Sequence, residues 1–238
     1  MLFFKKPAPP LTRFQAPTAA DVTSKYQTKA PPAPGQTSGE YLQSLEKNKQ
    51  STEAVNFLAH GMPERESTWW ACQSSRQVEG KLNAADRSAL SAAETWVKNP
   101  TPDTKAAAAT AAAKTDFTGP GGWAAQAAAW SNKPAPTAAA PAAAPASPQA
   151  SLTAPAVAGA VLLAAGLVNR PAMPEAQKPK PDLLQAPKPP EAPALRAPEV
   201  SAVQPPAVSQ AEQSKFAKTL QPFIDLGKDV ASGQNTWA

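Results

Sequence analysis

Apolar residues recur every three or four positions along several stretches of this chain, which is the spacing of amphipathic α-helices. The clearest stretch follows Asn83, a candidate helix N-cap, and its apolar residues fall on one arc of a helix: Ala85, Ala89, Leu90, Ala92, Ala93, Trp96 and Val97. No stretch alternates apolar and polar residues convincingly, as a half-buried strand does. The sequence therefore predicts an all-α protein built as a small helical bundle, with stacked helical hairpins as one arrangement that the pattern allows.

Cap and turn residues set the expected helix boundaries. Gly61 is expected to end a helix that Ser51 begins, and Pro63 is expected to open the next one, because a proline in the first turn has no amide to leave unsatisfied. In that next helix Trp69, Trp70 and their apolar neighbours point in several directions, so we expect it at the centre of the bundle. Further helices are predicted in three places: near 38–45, over the alanine tract 106–113, and at 123–130 after a glycine-rich turn.

Prolines divide the chain into packed and unpacked parts. Most of the 29 prolines among the 238 residues lie near the N-terminus or beyond residue 133, and dense proline disfavours helix interiors. Pro222 is expected to split the last helix or to begin a new one. The predicted domains are a disordered N-terminal arm at 1–37, a helical core at 38–130, a Pro/Ala-rich linker at 131–152, an apolar Ala/Gly-rich helix at 153–169, a Pro-rich linker at 170–209 and an amphipathic helical segment at 210–238.

The apolar run at 154–168 has two interpretations. It is shorter than the roughly 20 apolar residues that a membrane helix needs, and it consists largely of alanine and glycine. A closely packed helix inside the bundle is the favoured interpretation. An inner-membrane anchor is the alternative.

Charge and cysteine content narrow the class of protein. The net charge is +5, but the basic residues are scattered and no run resembles a basic nucleic-acid-binding helix, so nucleic acid is not an expected partner. A lone cysteine, Cys72, excludes an internal disulfide framework. Because the first residues also lack the apolar core of a signal peptide, we expect a cytoplasmic protein, with inner-membrane association as the alternative.

Candidate chemistry is sparse. His60 is the only histidine, and Gly61 and Pro63 separate it from Glu64, so the two are not expected to form a metal site. Cys72 with His60 could in principle supply a nucleophile and a base, but a thiol among tryptophans is expected to be buried and inert. We therefore predict no catalytic residues, no metal and no cofactor, and an enzyme is the third hypothesis, after an adaptor and a membrane-associated protein.

Five blocks of the sequence resemble a known family. They are FLAHGMPERESTWWACQSSRQV at 57–78, ALSAAETWVKNP at 89–100, GPGGWAAQAAAWS at 119–131, AVAGAVLLAAG at 156–166 and FIDLGKDVASGQNTW at 223–237. In this order they resemble an uncharacterised bacterial α-helical family whose members are often labelled automatically as twin-arginine-signal proteins and are associated with gene clusters for type VI secretion spike components. This chain has no twin arginine. The resemblance implies a cytoplasmic adaptor or chaperone near that machinery, and it supplies no catalytic residues.

The leading hypothesis is thus a non-enzymatic adaptor or chaperone-like protein of type VI secretion that binds a spike, effector or baseplate protein. The alternative is an inner-membrane-associated structural protein anchored by 154–168. For both Arg65 and the C-terminal stripe, contacts within the chain compete with a partner as the expected role. The candidate partner-docking residues are Arg65, Trp69, Trp70, Phe216, Leu220, Phe223, Ile224, Leu226 and Val230.

Overall fold

The structure is a computed structural model that describes residues 10–131, 152–170 and 210–237. Nine α-helices and one short 3-10 helix lie within these ranges, which contain no named strand, so the predicted all-α fold is confirmed. The α-helices are α1 (Ala19–Thr23), α2 (Ser38–Lys47), α3 (Ser51–Gly61), α4 (Glu64–Arg76), α5 (Ala84–Lys98), α6 (Pro102–Ala112), α7 (Pro120–Trp130), α8 (Thr153–Leu167) and α9 (Gln210–Ala231).

The predicted cap at Asn83 is present, and further caps begin other helices. The side chain of Asn83 accepts a hydrogen bond from the amide of Asp86 at 2.8 Å, which starts α5. Thr37 and Glu40 form a capping box at the start of α2. Proline occupies the first position of α6 and of α7, where its missing amide is not needed. Helix α7 therefore begins three residues before the predicted start at Trp123 and includes two glycines that were expected to form a turn.

Helix α4 lies at the centre of the bundle and packs against α3, α5, α7, α8 and α9, which confirms the position expected for the helix with two adjacent tryptophans. Helices α7 and α8 pack closely against each other and against α4 through buried alanines. The hydroxyl of Thr153 donates to the carbonyl oxygen of Ala127 at 3.4 Å, so the start of α8 lies beside the last turns of α7. Small side chains let these helix backbones approach closely.

The structure differs from the predicted N-terminal arm over residues 10–37. Helix α1 forms in this stretch, and Ala19 and Val22 are completely buried. The hydroxyl of Tyr41 donates to the carbonyl oxygen of Ala30, which fastens the following loop to α2. The prolines of this stretch lie between short packed segments. The proline content therefore predicted an unpacked arm, although apolar residues between the prolines are buried. The rest of the predicted arm, residues 1–9, lies outside the described residues, as do 132–151 and 171–209 of the two predicted linkers.

Helices α8 and α9 both pack on the core. The inner side of α8 is buried, and no helix within the described ranges is both long enough and apolar enough to cross a membrane. Helix α9 runs unbroken through Pro222, so the predicted break is wrong. A proline cannot donate to the carbonyl oxygen of Lys218 four residues earlier, but both residues are exposed and water can donate instead.

Candidate partner-docking site

Helix α9 lies against α3, α4 and α8 and presents to them the apolar stripe that the sequence predicts. Leu220, Phe223, Ile224 and Val230 are each at most 1% exposed. Their spacing along the helix places them on one face. We call the surface that receives this face the α9 groove; it is formed by α3, α4 and α8, with Trp70 of α4 within it.

Trp70 fixes the position of α9 in the groove. Its indole Nε1 donates a hydrogen bond to the carbonyl oxygen of Phe223, with 2.9 Å between the two atoms. A β-carbon at Gly227 would lie only 2.7 Å from the indole ring, which is too close for two carbon atoms. Glycine at this position therefore lets the α9 backbone rest directly on the indole. The sequence reasoning missed Gly227, because a glycine inside a helix reads only as a weak helix former.

Polar contacts close one edge of the groove and fix the register of α9. Lys228 Nζ lies 2.8 Å from a carboxylate oxygen of Glu46 on α2 and 2.8 Å from one of Asp225. Gln221 also donates to Glu46, at 3.0 Å. Burial on its own would lower the pKa of Lys228, but the hydrogen bonds to the two carboxylates outweigh it and raise that pKa. The ammonium group is therefore held in its charged form.

Arg65 joins the C-terminal end of α5 to the end of the chain. Its Nε donates to the carbonyl oxygen of Val97 at 2.6 Å, and one terminal nitrogen donates to that of Lys98 at 3.2 Å. The guanidinium carbon lies 4.2 Å from the centroid of the Trp237 ring, a cation–π contact. Trp69 meets the same ring edge-on, with 6.5 Å between the ring centroids.

The first described residues complete this region. The amide of Arg13 donates to the carbonyl oxygen of Ala231 at 2.8 Å, and the amide of Gln15 donates to that of Gly61 at 3.0 Å. The Arg13 guanidinium also lies 3.7 Å from Glu66. Residues 10–16, Arg65 and residues 231–237 therefore meet around the ends of α3, α5 and α9, and we call this region the terminal corner.

The candidate docking residues thus fall into three groups. Trp70 and the stripe residues Leu220, Phe223, Ile224 and Val230 are buried against one another, and Leu226 is half-buried. Arg65 and Trp69 are engaged in the terminal corner. Phe216 is the candidate whose side chain is exposed, at 37%. The chain uses these residues for its own contacts, which is the internal alternative that the sequence left open, and docking of a partner stays a prediction.

His60 and Cys72 are built into the packing. The His60 ring stacks on Tyr26, with 4.5 Å between the centroids, and its Nδ1 lies 2.9 Å from the carbonyl oxygen of Asn56. Burial lowers the pKa of His60 and raises the pKa of the completely buried Cys72. Over the described ranges, no three His, Cys, Asp or Glu side chains are grouped to hold a metal ion.

Asp86 is a second residue whose role the sequence reasoning missed. Its carboxylate, 2% exposed as a residue, accepts a hydrogen bond from the amide of Gly122 at 2.7 Å, at the start of α7. A β-carbon at Gly119 would lie 1.3 Å from a carboxylate oxygen of Asp86, so this turn is shaped around the acid. Burial raises the pKa of Asp86, and the amide of Gly122 partly offsets this. Two features of the sequence could have indicated this role. Asp86 is an acid on the apolar side of α5, and the segment ahead of Trp123 is rich in glycine.

Comparison with known proteins places the chain among proteins of unassigned role. A family model described as a family of unknown function (DUF6931) matches residues 41–180, which is more than half of the 238 residues. The matched residues include α3 to α8, and α9 lies beyond them. No curated protein and no solved structure matches the chain.

Proposed function

The chain belongs to the family of unknown function DUF6931, and we propose that it acts as a non-enzymatic adaptor or chaperone-like protein of type VI secretion. In this proposal it works in the cytoplasm and binds a helix of a spike, effector or baseplate protein. The binding surface is the α9 groove, which α9 itself fills in the free protein.

The docked α9 is the observation that carries this proposal. An amphipathic helix that lays its apolar face in a hydrophobic groove is a common mode of protein recognition, with anchors spaced three, four and seven residues apart. Leu220, Phe223, Ile224 and Gly227 have this spacing from the first residue onward. A partner helix with the same pattern would find the same anchor positions in the groove.

Helix α9 is suited to leave the groove. Pro222 and Gly227 both lower the intrinsic stability of the helix, by about 3 and 1 kcal/mol relative to alanine. Its stability therefore depends on docking more than that of the alanine-rich helices does. Residues 171–209 lie between α8 and α9 in the sequence, so α9 can undock while it stays attached to the bundle.

The type VI setting comes from the resemblance of the five sequence blocks, and the non-enzymatic role comes from the packing. His60 and Cys72 are engaged in structural contacts, and burial raises the pKa of the Cys72 thiol, which disfavours the thiolate that a nucleophile needs. The inner-membrane anchor is disfavoured, because Val157 and Val161 on the inner side of α8 are fully buried in the bundle.

Two substitutions in α9 test the proposal in opposite directions. Gly227→Ala raises helix propensity but places a methyl group against Trp70, so we expect weaker docking of α9. Pro222→Ala also raises helix propensity, at an exposed position, so we expect tighter docking. The tagged full-length proteins are expressed at native level, crosslinked mildly, and purified for mass spectrometry.

We expect a spike, effector or baseplate protein to be enriched with the native chain, more strongly with Gly227→Ala and less with Pro222→Ala. Equal enrichment in all three would show that the partner binds outside the groove. Enrichment of general chaperones alone, together with normal effector delivery after gene deletion, would end the proposal.

A further inference from the structure

Residues 11–16 form an irregular segment that holds the C-terminal end of α9, and we call this segment the clasp. The last carbonyl oxygens of a helix have no partner within the helix itself. The amide of Arg13 donates to the carbonyl oxygen of Ala231, the last residue of α9, at 2.8 Å. The hydroxyl of Thr12 donates to that of Ser232 at 2.9 Å. The clasp therefore caps the end of α9.

The clasp is seated on the end of α3 by Phe14. A β-carbon at Gly61 would lie 2.2 Å from a carbon of the Phe14 ring, so the ring rests directly on the α3 backbone. The same ring packs on Phe57, with 5.5 Å between the ring centroids. The amide of Gln15 also donates to the carbonyl oxygen of Gly61, at 3.0 Å. The seat of the clasp therefore depends on the missing side chain at position 61.

This geometry links the clasp to the α9 groove. The clasp is tied to α3, whereas α9 must move away from α3 when it leaves the groove. Undocking of the end of α9 therefore breaks the hydrogen bonds to Ala231 and Ser232, and each bond favours the docked state. Because Pro222 and Gly227 weaken α9 as a helix, a small contribution of this kind changes how often α9 is docked.

We propose that the clasp is an autoinhibitory latch on the α9 groove, which holds α9 in place while Phe14 is seated on Gly61 and lets α9 leave when Phe14 is released. This proposal rests on the proposed function of the groove as the site for a partner helix. A partner helix then gains access to the groove only in molecules whose clasp has opened.

The clasp is built to open while the bundle stays folded. Thr12, Arg13 and Gln15 are exposed, and Phe14 is half-buried. The ion pair between Arg13 and Glu66 spans 3.7 Å, and the arginine side chain is 48% exposed, so this pair adds little. Segments with few buried apolar contacts open locally at a low cost in free energy. Opening of the clasp therefore does not require α3 or α4 to unfold.

The first test compares two glycine-to-alanine substitutions in the full-length chain. Gly61→Ala places a methyl group where the Phe14 ring lies and should unseat the clasp. Gly80→Ala is the matched control, because nothing lies within 4 Å of its added β-carbon. Neither glycine has a positive φ, so alanine fits the backbone at both positions. Hydrogen exchange of α9 is measured, with α7 and α8 as references in the same molecule.

We expect Gly61→Ala to speed exchange in the last turns of α9 by about 10-fold or more, and Gly80→Ala to leave it unchanged. Phe14→Ala should give the same increase. Adding Gly61→Ala to Phe14→Ala should then have no further effect, because the ring that the methyl group displaces is gone. Unchanged exchange of α9 in both single variants would overturn the latch. An equal increase in α7, α8 and α9 would also overturn it, because it would report general destabilisation.

The second test measures access to the groove with a labelled peptide that has the sequence of α9, residues 210–231. Thr12→Cys and Ser232→Cys are introduced together and joined by a short bismaleimide, which locks the clasp to the end of α9, while the native Cys72 is buried. The unjoined double variant is the control. We expect the peptide to bind Gly61→Ala about 10-fold more tightly than the native chain, and the joined chain more weakly than its control. Equal binding to all of these chains would overturn the latch.

The latch and the proposed function can fail separately. Tighter binding of the peptide to Gly61→Ala, without capture of a spike, effector or baseplate protein from cells, would support the latch and count against the proposed partner. Capture of such a protein, with peptide binding that neither Gly61→Ala nor the joined cysteines change, would overturn the latch and leave the proposed function standing.

Discussion

The two sides of α4 are packed by different means. Towards α7 and α8 the contacts are made largely by alanines, including Ala124, Ala128 and Ala160, each of which is fully buried. Towards α9 they are made by a few large side chains, with Trp70 and Phe223 at the centre. Many small contacts spread the stabilisation over long surfaces, whereas a few large ones concentrate it. The α9 side is therefore the side that a single change can release.

Phe223 gives the most direct test of whether the α9 side of α4 can be released separately. Phe223→Ala should cost about 3–5 kcal/mol of stability, because it removes a large buried ring and leaves a cavity under α9. We expect α9 to lose protection against hydrogen exchange while α7 and α8 keep theirs. Equal loss in all three helices would mean that the bundle has one cooperative unit and that α9 is not separable.

The alanine side should respond to added volume. Ala160→Leu places three more carbon atoms where Ala160 is fully buried, and we expect a loss of about 1–3 kcal/mol from strain. Ala107→Leu, on the exposed surface of α6, adds the same atoms without that strain and should change stability by less than about 0.5 kcal/mol. Urea unfolding of both variants measures the difference, and similar losses would contradict the close packing described here.

Asp86 makes the stability of the alanine-packed side of the bundle depend on pH. Burial raises the pKa of this carboxyl in the folded state, so the folded protein holds the proton more tightly than the unfolded chain does. Its contribution to stability is therefore greatest below the unfolded pKa of about 3.9 and declines as pH rises towards the folded pKa.

The pH dependence can be isolated with Asp86→Asn, which keeps an oxygen to accept from Gly122 and does not titrate. The native chain should lose stability relative to this variant as pH rises from about 3.5. Asp86→Ala should cost about 1–3 kcal/mol, because the Gly122 amide is left without its acceptor. Parallel pH curves for the native chain and Asp86→Asn would contradict the raised pKa.

The smallest predicted effect is on the rate at which a thiol reagent labels Cys72, and it needs no substitution. Its thiol is completely buried in α4, and burial raises its pKa, so a thiol reagent should label the folded protein only as fast as the protein opens. In urea, labelling should be complete within the mixing time. Rapid labelling of the folded protein would contradict the central position of α4.

Helical periodicity and caps predicted most of the elements, because these signals are local. Asn83 and Pro63 mark helix starts through their own local preferences, and α5 and α4 begin directly after them. Gly61 ends α3 as predicted, but without the left-handed backbone of a glycine cap; a β-carbon there would lie 2.2 Å from the Phe14 ring. The stripe from Leu220 to Val230 was visible for the same reason. The surface that receives the stripe could not be predicted, because it combines α3 and α4 with α8, which is distant from them in the sequence.

The missed residues depend on neighbours that a linear pattern does not show. Gly227 matters only because Trp70 lies above it, and Asp86 only because the turn at Gly119 comes back to meet it. The proline content of the N-terminal stretch predicts an arm, and the hydrogen bond from Arg13 to Ala231 that anchors this stretch cannot be predicted from the sequence. The candidate docking residues were thus chosen by residue type and spacing, and the contacts that they make within the chain could not be predicted from either.

The terminal corner has a consequence for the synthesis of the protein. Ala231, whose carbonyl oxygen accepts from the amide of Arg13, is added to the chain 218 residues after Arg13. At about 5–20 residues per second this is a delay of roughly 11–44 s. During that interval the ends of α3 and α9 cannot both be capped. The terminal corner can therefore form only after residue 231 has been synthesised.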